Sequence, residues 1–204
     1  MAQTSTTLSG AKSHVENITG SDISFTSTSG TNTISSTSTV LTGSGKLAVR
    51  DLVTVSGTVN NNSTFTVKAV ISTTEFTVEE VVTTETADGS TSTTLDHTGF
   101  VTDKAKGDGY YSQPDGVHTV AYQVVNRGDS TDDFNGSIKM QGSLATTPTE
   151  DDYFDISGTT YTSDLSTTIA SFNFTGNYVW VRAKVETTNA SGNGALVTSI
   201  LLNS

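Results

Sequence analysis

The chain has 204 residues, enough for one large domain or two small ones that each bury a real core. Charged residues make up 15%, against about 25% in typical globular proteins, and Thr, Ser, Asn and 18 Gly take their place. With 21 acidic against 10 basic residues the net charge is -11, which argues against nucleic acid as a partner, because phosphate binding needs clustered Lys and Arg.

There is no cysteine, so stability must come from packing, from hydrogen-bonded sheet or from neighbouring subunits, in either redox compartment. Helix formers are scarce and no stretch keeps a 3.6-residue apolar period. The expected fold is therefore all-β: two small antiparallel modules, the first a barrel or sandwich and the second a sandwich, preceded by a polar arm.

Residues 1–21 open with MAQTSTTLSGAKSHVEN, polar and poor in aromatics. They read as an arm, disordered alone or clasping a neighbour in an assembly. A basic segment followed by an apolar run is missing, so no secretory signal is expected, and the Met1 start favours a chain used without export. No apolar run approaches the ~20 residues of a membrane helix, and no membrane partner is expected.

Residues 22–94 form the first predicted module. Ile23 and Phe25 begin an alternation that passes Ile34 and reaches Val40 and Leu41. The stretch from Asp51 to Val82 then reads as a three-strand meander. Val53 and Val55 oppose Thr54 and Ser56; Phe65, Val67 and Ala69 oppose Thr64, Thr66 and Lys68; Phe76 and Val78 oppose Glu75, Thr77 and Glu79. A period of two with one wet face marks half-buried antiparallel strands. A meander alone is marginal, so the flanking segments must cover it, with Val81 and Val82 helping to close the module.

Residues 95–116, LDHTGFVTDKAKGDGYYSQPDG, read as a connection pinned by Phe100, Tyr110 and Tyr111 and ending in the Pro114-Asp115-Gly116 turn. Residues 117–204 carry six predicted strands: 117–125, 134–144, 153–156, 168–174, 177–186 and 195–203. Turn-rich loops between short strands are the pattern of a β-sandwich. In 177–186 the face made by Val179, Val181, Ala183 and Val185 belongs to the core. The opposite face, Tyr178, Trp180, Arg182 and Lys184, is amphipathic and suited to packing under a loop or another subunit.

Two stretches resemble known modules. DLVTVSGTVNNNSTFTVKAVISTTEFTVEE, residues 51–80, is similar to a small β module of structural proteins in tailed bacteriophages. FNGSIKMQGSLATTPTEDDYFDI (134–156) and FTGNYVWVRAKV (174–185), with the terminal ILLN, resemble a module of virion proteins in large marine phages. The resemblance implies a non-enzymatic building block of the particle: an outer head decoration or cement protein, or a neck or tail fibre subunit. It would be made in the host cytoplasm and reside in the virion beside other capsid, neck or tail proteins, as a homo-oligomer with a trimer favoured. The alternative is a carbohydrate-binding adhesin module used in attachment to the host surface.

Residues able to carry chemistry are few, and no catalytic, cofactor-binding or metal-binding residue is assigned. His14, His97 and His118 lie in an arm, a loop and a strand without zinc spacing, so they are expected to be solvated. No G-x-S-x-G context accompanies the serines. Asp132-Asp133 and Glu150-Asp151-Asp152 with Asp155 lack the calcium-loop order and are expected to cap turns. Arg127-Gly128-Asp129 is expected to end a strand, and sequons such as Asn17-Ile18-Thr19 follow from abundant Asn and Thr. Trp180, Tyr178, Tyr110 and Tyr111 are the candidate sugar platform, with burial the expected fate of Trp180.

Overall fold

Thr and Val dominate the segments that alternate, and their branched side chains fit a pleated surface better than a helix. In the computed structural model, which describes residues 5–114, 116–126, 133–188 and 195–203, those segments are strands throughout. The only helical pieces among the described residues are two 3-10 turns, Asp108–Tyr111 and Glu150–Asp152. In chain order the strands begin with β1 (Ser5–Ser9) and β2 (Lys12–Ser13). There follow β3 (Ile18–Gly20), β4 (Ile23–Thr28), β5 (Thr31–Ser36), β6 (Asp51–Ser56), β7 (Thr64–Ser72), β8 (Glu75–Val78) and β9 (Thr93–Val101). The remainder holds β10 (Ala105–Lys106), β11 (Val117–Val124), β12 (Gly136–Ser143), β13 (Phe154–Asp155), β14 (Tyr161–Thr162), β15 (Ile169–Thr175), β16 (Trp180–Thr187) and β17 (Ala195–Asn203).

The chain divides into two compact units, Val15–Phe100 on one side and Met1–His14 with Val101–Ser204 on the other. In the first, the expected meander is present: β6 pairs antiparallel with β7, and β7 with β8. Its neighbours extend the order to β9-β6-β7-β8-β5-β4, with β3 on β9. The long β7 has two register shifts where it pairs with β8, the irregularities that bend a strand around a core. The ladder does not close. β3 lies on β9 at one end and β4 on β5 at the other, so the two are linked through Ser21 and Asp22 without a pairing, and the unit is sandwich-like rather than a barrel. Phe25, Ile34, Leu41, Val53, Phe65, Val67 and Phe76 fill its interior. Each such side chain contributes about 1.5–3 kcal/mol by leaving water. Of the two valines expected to close the unit, Val82 is buried and Val81 is 81% exposed.

In the second unit one sheet has the order β1-β17-β11-β15, with β2 also on β17. Facing residues of the other sheet come from β12, paired with β16 on one side and with β13 and β14 on the other, and from β10 on β16. Val120, Tyr122, Val124, Val197, Ile200 and Leu202 of the first sheet are buried, as are Ile138, Met140, Val181, Ala183 and Val185 of the second. The Tyr122 hydroxyl, deep in this core, donates to the Thr159 carbonyl at 2.9 Å, so its polar tip is satisfied.

Two expectations about organisation give way. The arm, over its described residues 5–21, is threaded into sheets: Ser5 pairs with Asn203 and Thr7 with Leu201, Lys12 with Val197, and Ile18 with Leu95. The connection 95–116 begins inside a strand, for β9 pairs along β6 and buries Leu95, His97 and Phe100. Its polar residues find partners in the sheet. Thr98 and Thr54 share a hydrogen bond at 3.1 Å and Thr54 and Thr64 another at 2.8 Å, a threonine ladder across three strands.

Candidate functional site

Several carboxylates are occupied by the chain's own backbone. Asp22 accepts from the hydroxyls of Ser36, Thr37, Ser38 and Thr39 and from the N–H groups of Ser38 and Thr39. Those donors, Ser36 foremost, hold its carboxyl far below the ordinary range. The Asn-rich turn is organised the same way. Glu85 accepts from Val59 N–H at 2.8 Å, Asn60 N–H at 3.0 Å and the Asn61 amide at 2.9 Å. Partial burial pushes the Glu85 carboxyl up, but these donors outweigh it and the group ends below its usual value. Asp88 takes the N–H groups of Thr91 and Ser90, which lower it to about 2.

Of the acidic residues singled out in the sequence, Asp152 caps a turn as expected, whereas Glu150 and Asp155 bond side chains of the sheet. Asp152 forms a capping box with Thr149, at 2.7 and 2.8 Å. Glu150 instead makes a bidentate pair with Arg182, at 2.8 and 2.6 Å. The Arg182 guanidinium is 4% exposed, also donates to Gln141 at 3.0 Å, and lies 3.6 Å from the Tyr153 ring centroid. Burial would raise the Asp155 carboxyl; Lys139 at 2.9 Å and the Gln141 amide at 2.9 Å prevail and lower it. Asp133 is buried, while Asp132 and Arg127-Gly128-Asp129 lie outside the described residues.

The histidines correct the sequence reading, since all three are buried rather than solvated. His97 accepts the Val15 N–H at its Nδ1, 3.2 Å away, with Nε2 3.7 Å from Asp51. His118 stacks on Phe174 at 5.0 Å and sets Nε2 3.3 Å from Asp108. Strand alternation carries both inward, and each flat ring fills core space while a carboxylate meets its nitrogen. Among the described residues no three His, Cys, Asp or Glu side chains converge as metal ligands would.

One surface differs. β10 pairs with the start of β16 so that Lys106 faces Trp180 and Ala105 faces Val181. Period two then sends Ala105 toward the buried Val181 and puts Lys104 and Lys106 on the Trp180 side. The chain continues through Gly107 into the 3-10 turn 108–111. Gly107 N–H donates to the Val179 carbonyl at 3.0 Å and Gly109 N–H to the Tyr178 carbonyl at 2.8 Å. A Cβ at Gly107 would meet that Tyr178 oxygen at 2.5 Å, and one at Gly109 would meet the Asn177 oxygen at 2.7 Å, so both positions require glycine for this close approach. Asp108 anchors the far side by accepting the Gly116 N–H at 2.7 Å.

The turn delivers Tyr110 edge-on to Trp180, 5.0 Å between centroids, and Tyr111 edge-on to Tyr110 at 5.2 Å. Lys104 Nζ stands 4.5 Å from the Trp180 ring centre; Lys106 Nζ stands 4.1 Å from Tyr110 and 5.6 Å from Tyr111. Such contacts are worth about 0.5–1 kcal/mol at exposed sites. Tyr110 is 42% exposed and Tyr111 57%, while Trp180 is half-buried and donates its indole N–H to the Thr146 carbonyl at 3.1 Å. Trp180 is thus less buried than its strand suggests. Of the four predicted aromatics, three come together here. Tyr178 does not: its ring covers Gly142 and Gly176 and packs near Phe154 and Phe174, at 6.0 and 6.3 Å. The two lysines were missed by sequence reasoning, although K-A-K ahead of G-D-G-Y-Y carries the period-two signal that places them.

Comparison with protein-family models, with curated proteins and with solved structures gives no match for this chain.

Proposed function

We propose that the chain is a non-enzymatic structural component of a tailed bacteriophage particle: an outer head decoration or cement protein, or a neck or tail fibre subunit. The observation that carries this reading is an open sheet edge. β15, IASFNFT, ends the sheet β1-β17-β11-β15, and among the described residues no strand pairs with its outer side. It has no charge and no proline, and Ile169 is 59% exposed. Monomeric proteins blunt such edges with Lys, Pro or bulges, because an unpaired row of N–H and C=O groups templates another strand.

The opposite end of the same sheet, β1 with sequence STTLS, is equally uncharged. Pairing of β15 in one copy with β1 in the next is heterologous, and it closes into a ring when the rotation between copies permits. A homotrimer built this way, docked on other virion proteins, agrees with the sequence resemblances. Carboxylates bound to their own turns agree too, since they keep the surface acidic without creating a reaction centre.

The test is mass spectrometry and antibody labelling of purified particles from an infected culture that makes this chain. The expected result is the chain at a fixed copy number, with label on the particle's outside. Its absence from purified particles, while abundant in the lysate, would overturn the proposal.

A further inference from the structure

We infer that Lys104, Lys106, Tyr110, Tyr111 and Trp180 form a binding site for an acidic saccharide, a sugar unit bearing a carboxylate. This goes beyond the structural role and does not depend on it. The ammonium groups of Lys104 and Lys106 rest over ring faces, whereas Lys68, Lys139, Lys184 and Arg182 sit on carboxylates 2.6–3.1 Å away. A lysine on an exposed ring is held by a weaker interaction than a charge-assisted hydrogen bond to a carboxylate. An arriving anion therefore draws the ammonium groups off the rings, and the same movement uncovers the ring faces.

Those faces suit the C–H side of a pyranose. Tyr111 and Tyr110 are the most exposed tyrosines of the cluster, and the half-buried Trp180 forms its floor with its indole N–H already engaged. The platform is fixed before any ligand comes. Gly107 and Gly109 donate to the backbone carbonyls of Val179 and Tyr178, Asp108 holds Gly116, and the β10–β16 ladder sets Lys106 opposite Trp180. Rigid aromatic contacts of this kind limit the entropy lost on binding.

Charge selects among anions. Two lysines in a chain of net charge -11 neutralise at most two phosphates, too few against the repulsion that a long nucleic-acid strand would meet. A neutral sugar would leave the lysines without a role. The ligand that uses both the rings and the charges is a short acidic glycan.

The chain's single tryptophan belongs to the site, so its fluorescence reports binding directly. The full-length chain is titrated with tetragalacturonate and with sialyllactose, beside methyl-esterified tetragalacturonate and a short oligothymidylate. The expected result is a saturable change with at least one of the two carboxylate sugars. Its affinity should be at least about tenfold above those of the ester and the oligonucleotide. The double variant Lys104→Gln/Lys106→Gln and the single variant Tyr111→Ala, both at exposed positions, should each weaken it about tenfold or more while near-UV circular dichroism stays unchanged. No saturable change with either carboxylate sugar would overturn the inference. So would equal binding of the ester, equal or tighter binding of the oligonucleotide, or variants that bind as the native chain does.

Discussion

The turn at 57–63 and the turn at 107–111 solve the same problem by opposite means. In the first, Glu85 gathers the N–H groups of Val59 and Asn60 and the Asn61 amide, and Asn61 in turn accepts the Thr83 N–H at 2.8 Å. Asn61 is buried there and the Glu85 carboxylate is spent on the turn's own donors. In the second, glycine N–H groups hold the chain to the backbone carbonyls of Tyr178 and Val179, and the side chains of Tyr110 and Tyr111 face outward. A turn stabilised by its side chains has few left for a partner, whereas a turn stabilised through its backbone can present them. That contrast separates scaffold from candidate site along most of this chain.

Breaking the scaffold side should have the largest effect. Phe76→Ala empties a fully buried position in the 15–100 unit and is expected to cost about 3–5 kcal/mol, read as a lower denaturation midpoint with an unchanged slope. Glu150→Ala should cost a comparable amount, about 3–5 kcal/mol in the other unit, by leaving the Arg182 guanidinium buried without its bidentate partner. Replacing the pair together, Glu150→Leu with Arg182→Met, should recover much of that loss.

An intermediate effect is expected from Gly107→Val, which forces a Cβ against the Tyr178 carbonyl. Overpacking of this kind costs about 1–3 kcal/mol. The more telling readout is a red shift of Trp180 emission as Tyr110 leaves the indole, with strand content by far-UV circular dichroism retained.

Acid titration sharpens the comparison further. The Asp88 carboxyl sits at about 2 when folded, below its ordinary value, so its hydrogen bonds stabilise the fold fully above the unfolded value. That stability is lost as pH falls from about 4 toward 2, where the folded group takes up its proton. Asp22 and Asp164, held lower still, extend the loss below pH 2. Asp88→Asn should flatten the upper part of the profile of melting temperature against pH. The smallest effect belongs to the outward side chains: Lys104→Gln/Lys106→Gln gives up two exposed ring contacts and should cost no more than about 1–2 kcal/mol.

How far the sequence revealed this molecule depends on which side of the pleat carried the signal. The strands of 117–204, the short β14 excepted, were legible to within about three residues because Val181, Ala183 and Val185, like Val120, Tyr122 and Val124, alternate with polar neighbours. Ser5–Ser9 offers no such pattern, since STTLS is held by hydrogen bonds to β17 and buries none of its residues. LDHTGFV was misread because Asp96 and His97 look like loop residues. In the fold His97 is buried, and burial raises the Asp96 carboxyl, which the nearby His97 only partly offsets. For the candidate site, the aromatics were visible as types. The pairing of Lys106 with Trp180 was not, because cross-strand register joins residues 74 positions apart.

The central claim, that this chain assembles through the uncharged edges of one sheet, is tested most directly by light scattering on the pure protein and on Ile169→Lys/Ser171→Lys. The account predicts a native species of three times the 21.3 kDa chain mass, and a variant with native circular dichroism that falls to 21.3 kDa. A native chain that stays at 21.3 kDa up to its solubility limit, or a variant that keeps the native mass, would contradict it.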